Sequence, residues 1–145
     1  MRGFTLIEML VVVAIIAVLS SALLVNAWPS DAATAEREAR RLAALLETAM
    51  SEARASARAI AWTPEENGYS FWQRTDEGTW ERFPETSVYR HRRLAAQTRL
   101  RAERIVLTPS GLQGPMEATL SGGTATIILR RQALGRISLE RIHAD

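Results

Sequence analysis

At 145 residues, without cysteine and with 18 basic against 16 acidic side chains for a formal charge of +2, the chain has material for one small core beside its apolar start. It has no disulfide, no thiolate metal site, and too little net charge to imply nucleic-acid binding. Every basic side chain is arginine, and the only aspartates, Asp31, Asp76 and Asp145, are too scattered for a calcium loop.

The chain opens on an apolar run. From Phe4 to Val25 the only charged side chain is Glu8, and the other polar groups are the hydroxyls of Thr5, Ser20 and Ser21. As a helix this run rises about 33 Å, close to the roughly 30 Å hydrocarbon core of a bilayer. A carboxylate inside such a span costs several kcal/mol unless paired, so Glu8 reads as functional. A secretory signal peptide shares the opening Arg2 and the apolar stretch, with Val25-Asn26-Ala27 as a small-residue cleavage site, and a plain anchor needs only length. Neither accounts for a glutamate four residues into the apolar block.

Those residues carry a resemblance. Arg2-Gly3-Phe4-Thr5-Leu6-Ile7-Glu8 resembles the class III signal of type IV pilins and of the pseudopilins of type II secretion. The resemblance implies that a prepilin peptidase cuts on the cytoplasmic side between Gly3 and Phe4 and methylates the new N-terminal Phe4. It also implies that Thr5 and Glu8 serve assembly. The freed amine is a cation, and Glu8 lies one helical turn on, within reach of that amine or of a neighbouring subunit's. Arg2 and the amine on one side face Arg37, Arg40 and Arg41 on the other, so charge counting does not orient the span. A cytoplasmic N-terminus and a periplasmic remainder rest on the resemblance.

Trp28-Pro29 ends the run, and the proline is expected to kink or interrupt the helix. Ser30 or Asp31 is a cap for the segment that follows. To about Ala61 there is no glycine or proline, and Ala35, Ala39, Leu42, Leu46, Ala49, Met50, Ala53, Ala57 and Ile60 form one apolar stripe. This predicts one long helix, half in the membrane and half amphipathic on a domain. After Pro64 the pattern is strand-like. Tyr69–Gln73 and Thr79–Phe83 flank Thr75-Asp76-Glu77-Gly78, a hairpin signal, and Glu117–Leu120 and Thr124–Leu129 flank Ser121-Gly122-Gly123, a second. Between them lie an ambiguous arginine-rich stretch from Ser87 to Ala102 and a short strand at Ile105-Val106-Leu107. Arg136 to Ile142 makes a last strand. The expected organisation is a leader at 1–3, a transmembrane or filament-core helix at 4–27, an amphipathic helix at 28–62, and a β-rich region at 63–145. The fold class is α+β, with the long N-terminal helix packed on a mostly antiparallel sheet.

The order of Trp80, Arg93-Leu94, Ile105 to Gly111 and Leu134-Gly135-Arg136-Ile137 resembles the GspH/FimT-like group. That implies a minor pseudopilin near the tip of a periplasmic filament, in the bacterial inner membrane, that helps export folded proteins. Its partners would be the prepilin peptidase, the major and other minor pseudopilins, and inner-membrane lipid, with no cofactor. The alternative within the superfamily is a minor type IV pilin of FimT/FimU type, acting in pilus assembly or DNA uptake. DNA-binding relatives tend to carry a second arginine two positions after the one at Arg136, where this chain has Ser138.

Other constellations weigh less. His91 and His143 are far apart with no cysteine to join them, Glu65-Glu66 has the character of a solvated pair, and no catalytic motif is present, which speaks against an enzyme. Tyr89-Arg90-His91-Arg92-Arg93, with Arg99, Arg101 and Arg104 nearby, is the best candidate surface. Arg90, Arg92 and Arg93 suit acidic groups on a partner, lipid phosphates or plain solvation. Trp72 and Trp80, on paired strands, are expected to pack together if the register allows.

Overall fold

The computed structural model describes residues 5–26, 29–112, 115–132 and 136–143, with side chains in the first helix as far as Ser21. It divides into two units, residues 1–30 and 31–145. The first holds α1 (Leu6–Asn26). The second begins with α2 (Asp31–Ser56) and continues, among the described residues, through ten strands. These are β1 (Ile60–Glu65), β2 (Gly68–Arg74), β3 (Trp80–Arg82), β4 (Arg92–Arg93), β5 (Arg99–Ala102), β6 (Ile105–Thr108), β7 (Gly111–Leu112), β8 (Glu117–Gly122), β9 (Ala125–Arg131) and β10 (Ile137–His143).

Asp31 in the first turn of α2 and Arg54 in the last complement the helix dipole. Its buried face is Ala35, Ala39, Leu42, Ala43, Leu46, Ala49, Met50 and Ala53, the expected stripe. On the exposed side Arg40 pairs with Glu36, and Arg41 pairs with Glu38 at 3.2 Å. The helix is shorter than the span of 28–62 read from sequence. Ala57 takes a left-handed φ of 55°, a capping conformation usually given to glycine, and it is exposed, outside the stripe. Ile60 and Ala61, expected in the helix, instead open β1. There Ile60, Ala61 and Trp62 are fully buried, and that burial outweighs the helical propensity of an alanine-rich sequence.

The strands form two antiparallel sheets. One runs β3-β2-β1-β6-β7, with β4 also on β2; the other runs β10-β9-β8-β5. Both expected hairpins are present: β2 pairs with β3 across Thr75–Thr79, and β8 with β9 across Gly123-Thr124. The ambiguous stretch from Ser87 to Ala102 yields β4 and β5, one in each sheet. Pro64 sits within β1, but β6 pairs only with Ile60, Ala61 and Trp62, so the missing N–H falls where β1 has a single neighbour.

α2 covers β1, β6 and β7 of the first sheet and β8, β9 and β10 of the second. The core between helix and sheets is built from Leu42, Leu46, Trp62, Phe71, Leu107, Leu120, Ile127 and Leu129. The helix comes close to the sheet at Gly122, where a Cβ would stand 2.8 Å from the Asp31 carbonyl oxygen and 2.9 Å from the Ala35 Cβ.

Beneath α2 on the first sheet runs an aromatic chain. Trp62 lies 6.0 Å from Tyr69, Tyr69 6.1 Å from Phe71, and Phe71 5.4 Å from Tyr89, which lies 5.0 Å from Phe83. Tyr69 donates its hydroxyl to Glu38 Oε1 at 3.2 Å. Burial, then the Glu38 charge, pushes the Tyr69 phenol well above its usual 10.0. Burial, then Glu52, pushes Tyr89 the same way. The fold therefore holds these protons more tightly than the unfolded chain does. The stabilisation is complete below about pH 10 and is lost as pH rises through the folded values. Tyr69 is expected to stay protonated in the folded chain at about pH 11, whereas the denatured chain is mostly phenolate, and Tyr89 is expected to titrate above its unfolded value. Near-ultraviolet phenolate absorbance reads this, and a folded-state midpoint near 10 would contradict it.

Candidate functional site

At the start of α1, Thr5 is the N-cap. Its hydroxyl accepts from the Glu8 N–H at 3.4 Å, and its carbonyl accepts from Glu8 and Met9 at 3.0 and 3.3 Å. Thr5-Leu6-Ile7-Glu8 thus has the T-x-x-E signature of a capping box, a local role that the reading of Thr5 as an assembly residue missed. Glu8 is exposed, as is every residue from Thr5 to Ser21, so a helix of leucine, isoleucine and valine presents its apolar side chains outward all round. Gly3 and Phe4 lie outside the described residues. From Leu6 to Ser21 α1 rises about 24 Å, and among the described residues no helical stretch is long and apolar enough to cross a membrane.

The arginine segment is delivered by Gly68. β4 pairs with Gly68 and Tyr69, and a Cβ on Gly68 would lie 2.1 Å from the Arg92 carbonyl oxygen. Only a glycine lets β4 close on β2. Arg90 and Arg93 are exposed and Arg92 half-buried. Among the described residues none of the three has a carboxylate partner in an ion pair. Arg99 and Arg101 lie apart from them, on β5 of the other sheet.

His91 belongs to a different cluster. Ser70, fully buried, donates its hydroxyl to Glu65 Oε1 at 2.5 Å, and Arg82 donates to the same oxygen at 3.0 Å. With its one proton committed, Ser70 accepts from His91 Nδ1 at 3.1 Å. Nδ1 also lies 3.4 Å from Glu65 Oε2. A serine, a histidine and a glutamate meet here, but one ring nitrogen faces both partners and the hydroxyl is buried against the carboxylate. In a nucleophilic triad the two ring nitrogens divide those contacts. The arrangement pins β4 to the β1–β2 hairpin, and Glu65 is part of it, not a solvated partner of Glu66.

Trp72 and Trp80 do not stack on one another among the described ring contacts. Trp72 is opposite Arg82, and Arg74 is opposite Trp80, an offset of two residues that leaves each indole to a guanidinium. Arg82 lies 4.9 Å over Trp72 and Arg104 lies 5.0 Å over Trp80. Two residues beyond Arg136, Ser138 donates its hydroxyl to the Arg130 carbonyl at 3.1 Å, so no second cation stands there.

Comparison with known proteins bears on both ends of the chain. Residues 1–24 match the prokaryotic N-terminal methylation motif. Residues 38–140 match the family of the type II transport protein GspH. The chain belongs to the GspH family. Two solved structures share its fold, both of the minor pseudopilin EpsH from the type II secretion system of Vibrio cholerae. One matches at a TM-score of 0.61 with 16% identity over 75% of this chain and 96% of that one. The other gives 0.62 with 15% identity over 80% and 100%. No curated protein sequence gives a significant match. This GspH-family chain is a minor pseudopilin of a type II secretion system, a structural subunit with the N-terminal helix and antiparallel sheets of that fold.

Proposed function

We propose that prepilin peptidase cuts the chain between Gly3 and Phe4 and methylates Phe4. The apolar run of residues 4–27 then anchors it in the bacterial inner membrane, N-terminus cytoplasmic and domain periplasmic. From there it enters the pseudopilus near the tip, beside the major and other minor pseudopilins, and the filament helps export folded proteins across the outer membrane. Its work is structural, not catalytic. The observation that carries this reading is Glu8, an exposed carboxylate at the third position of an otherwise apolar helix, one turn from the amine that cleavage would create. Away from water each of those two charges needs the other, which fixes the height at which a subunit docks. Arg90, Arg92 and Arg93 offer an outward basic surface to acidic groups on neighbours or to lipid phosphates.

Glu8→Ala tests the assignment. Insertion and cleavage are expected to continue, since a more apolar span inserts at least as well. Cross-linking to the other pseudopilins in membranes is expected to fall by about tenfold or more, because an amine left unpaired in an apolar setting is penalised by several kcal/mol. Secretion, assayed in parallel, is expected to fall with it. Undiminished cross-linking and secretion would take the docking role away from Glu8.

A further inference from the structure

β10 is an edge strand, and two hydrogen bonds fix which of its backbone groups look outward. Arg131, opposite Ile137, donates its N–H away from β10, to the Met116 carbonyl at 3.4 Å. Ile137 donates its own N–H to Glu47 Oε1 on α2 at 2.9 Å. This is a non-hydrogen-bonded pair, so by the two-residue period the N–H and C=O groups of Leu139 and Arg141 also point off the sheet. α2 holds the strand at both ends, through Glu47 at Ile137 and through Glu36, which pairs with Arg141 at 3.2 Å.

The side chains along this edge are unusual. Outside α1, the large apolar side chains exposed among the described residues are Val88, Leu139 and Ile142. Two of these three flank the edge, Leu139 on the α2 side and Ile142 on the opposite face. Between α2 and β10 lies a groove of about 170 Å³, lined by Glu36, Arg40, Ile127, Leu139 and Arg141, with an apolar floor and room for one aliphatic side chain. Its rim sets two guanidiniums against the single carboxylate of Glu36, a surplus of one positive charge.

We propose that the free edge of β10 is a strand-addition site for an extended segment of a co-assembled pilin-like subunit. That segment places an aliphatic side chain in the groove, with an acidic residue beside it. An uncapped edge bearing exposed leucine and isoleucine is an aggregation hazard in a protein that works alone. It suits one whose partner stays with it, and strand addition satisfies the outward backbone groups while burying both side chains. The inference rests on the chain being a filament subunit, as proposed above.

The test uses the full-length chain in membranes that carry the other pseudopilins, with a benzophenone amino acid at position 142 and, separately, at position 12 in α1. The expected result is a cross-link from 142 to one pseudopilin, reduced at least tenfold by Leu139→Pro, which removes an outward N–H without touching the β9 ladder. In hydrogen exchange on the unmodified chain, the Leu139 and Arg141 amides are expected to exchange at least tenfold more slowly when co-assembled than alone. This second reading stands even if the proline variant misfolds. Cross-linking from 12 but not 142, with unchanged exchange, overturns the strand-addition site and leaves the subunit reading intact. Loss of both cross-links overturns both. A cross-link from 142 to an exported protein or to a second copy of the chain overturns the occupant assigned here.

Discussion

Gly122→Val is expected to cost the domain about 3 kcal/mol or more, enough to unfold a domain of ordinary marginal stability. The new side chain would begin 2.8 Å from the Asp31 carbonyl oxygen and 2.9 Å from the Ala35 Cβ. Both belong to the first turns of α2, and neither is the far end of a flexible side chain that can swing away. Relief requires the helix to rise off β8, which uncovers Leu120 and Ile127 behind it. Ser121→Val, one residue earlier on the outer face of β8, is the control, with an effect of about 0.5 kcal/mol or less. Denaturant unfolding of the two variants in parallel measures the difference. A loss below about 1 kcal/mol at Gly122 would mean that α2 is not seated on β8 through this glycine.

Gly3→Trp is expected to abolish maturation, leaving uncut precursor in the membrane. On the function proposed above, the glycine is asked for by the peptidase, whereas the bilayer sees only the apolar run that follows, so anchoring and processing separate. Intact-mass measurement of the extracted wild-type chain should place its N-terminus at a methylated Phe4. A mature wild-type chain beginning at Trp28 would instead establish an ordinary secretory signal peptide. The tryptophan variant should keep Met1 to Gly3 attached and fail to cross-link to other pseudopilins.

Much of this was legible from the residues. The α2 stripe, both hairpins and the break around Pro29 follow from periodicity and turn chemistry, which are local. The helix end was not legible, because Ala57 takes a left-handed conformation with no glycine or asparagine to announce it, and the burial that makes β1 a strand comes from β2, β6 and α2. Arg99-Leu100-Arg101-Ala102 alternates as a strand should, yet its charge disguised it. At the candidate site, Glu8 stood out as a lone charge, and the Thr5 cap could have been found from its three-residue spacing to Glu8. The cluster of Glu65, Ser70, Arg82 and His91 could not have been found that way, since its members come from separate segments joined only by the close approach of β4 at Gly68. The strand patterns put Trp72 and Trp80 on paired strands, but their separation depends on a register that the turn sequence alone does not specify.

The seating of α2 across both sheets has a mechanical consequence. Tension or thrust arriving along the chain at Ser30 enters the domain at the first turn of this helix, where Asp31 and Ala35 rest on the β8–β9 turn. To drag the helix lengthwise, a load must shear the alanine and leucine rows off six strands together, instead of peeling one contact at a time. Among the described residues the two sheets share no strand pairing in their ladders, and the helix, packed on both, ties them into one body together with their common core. In the filament proposed above, a load would reach the helix and both sheets together.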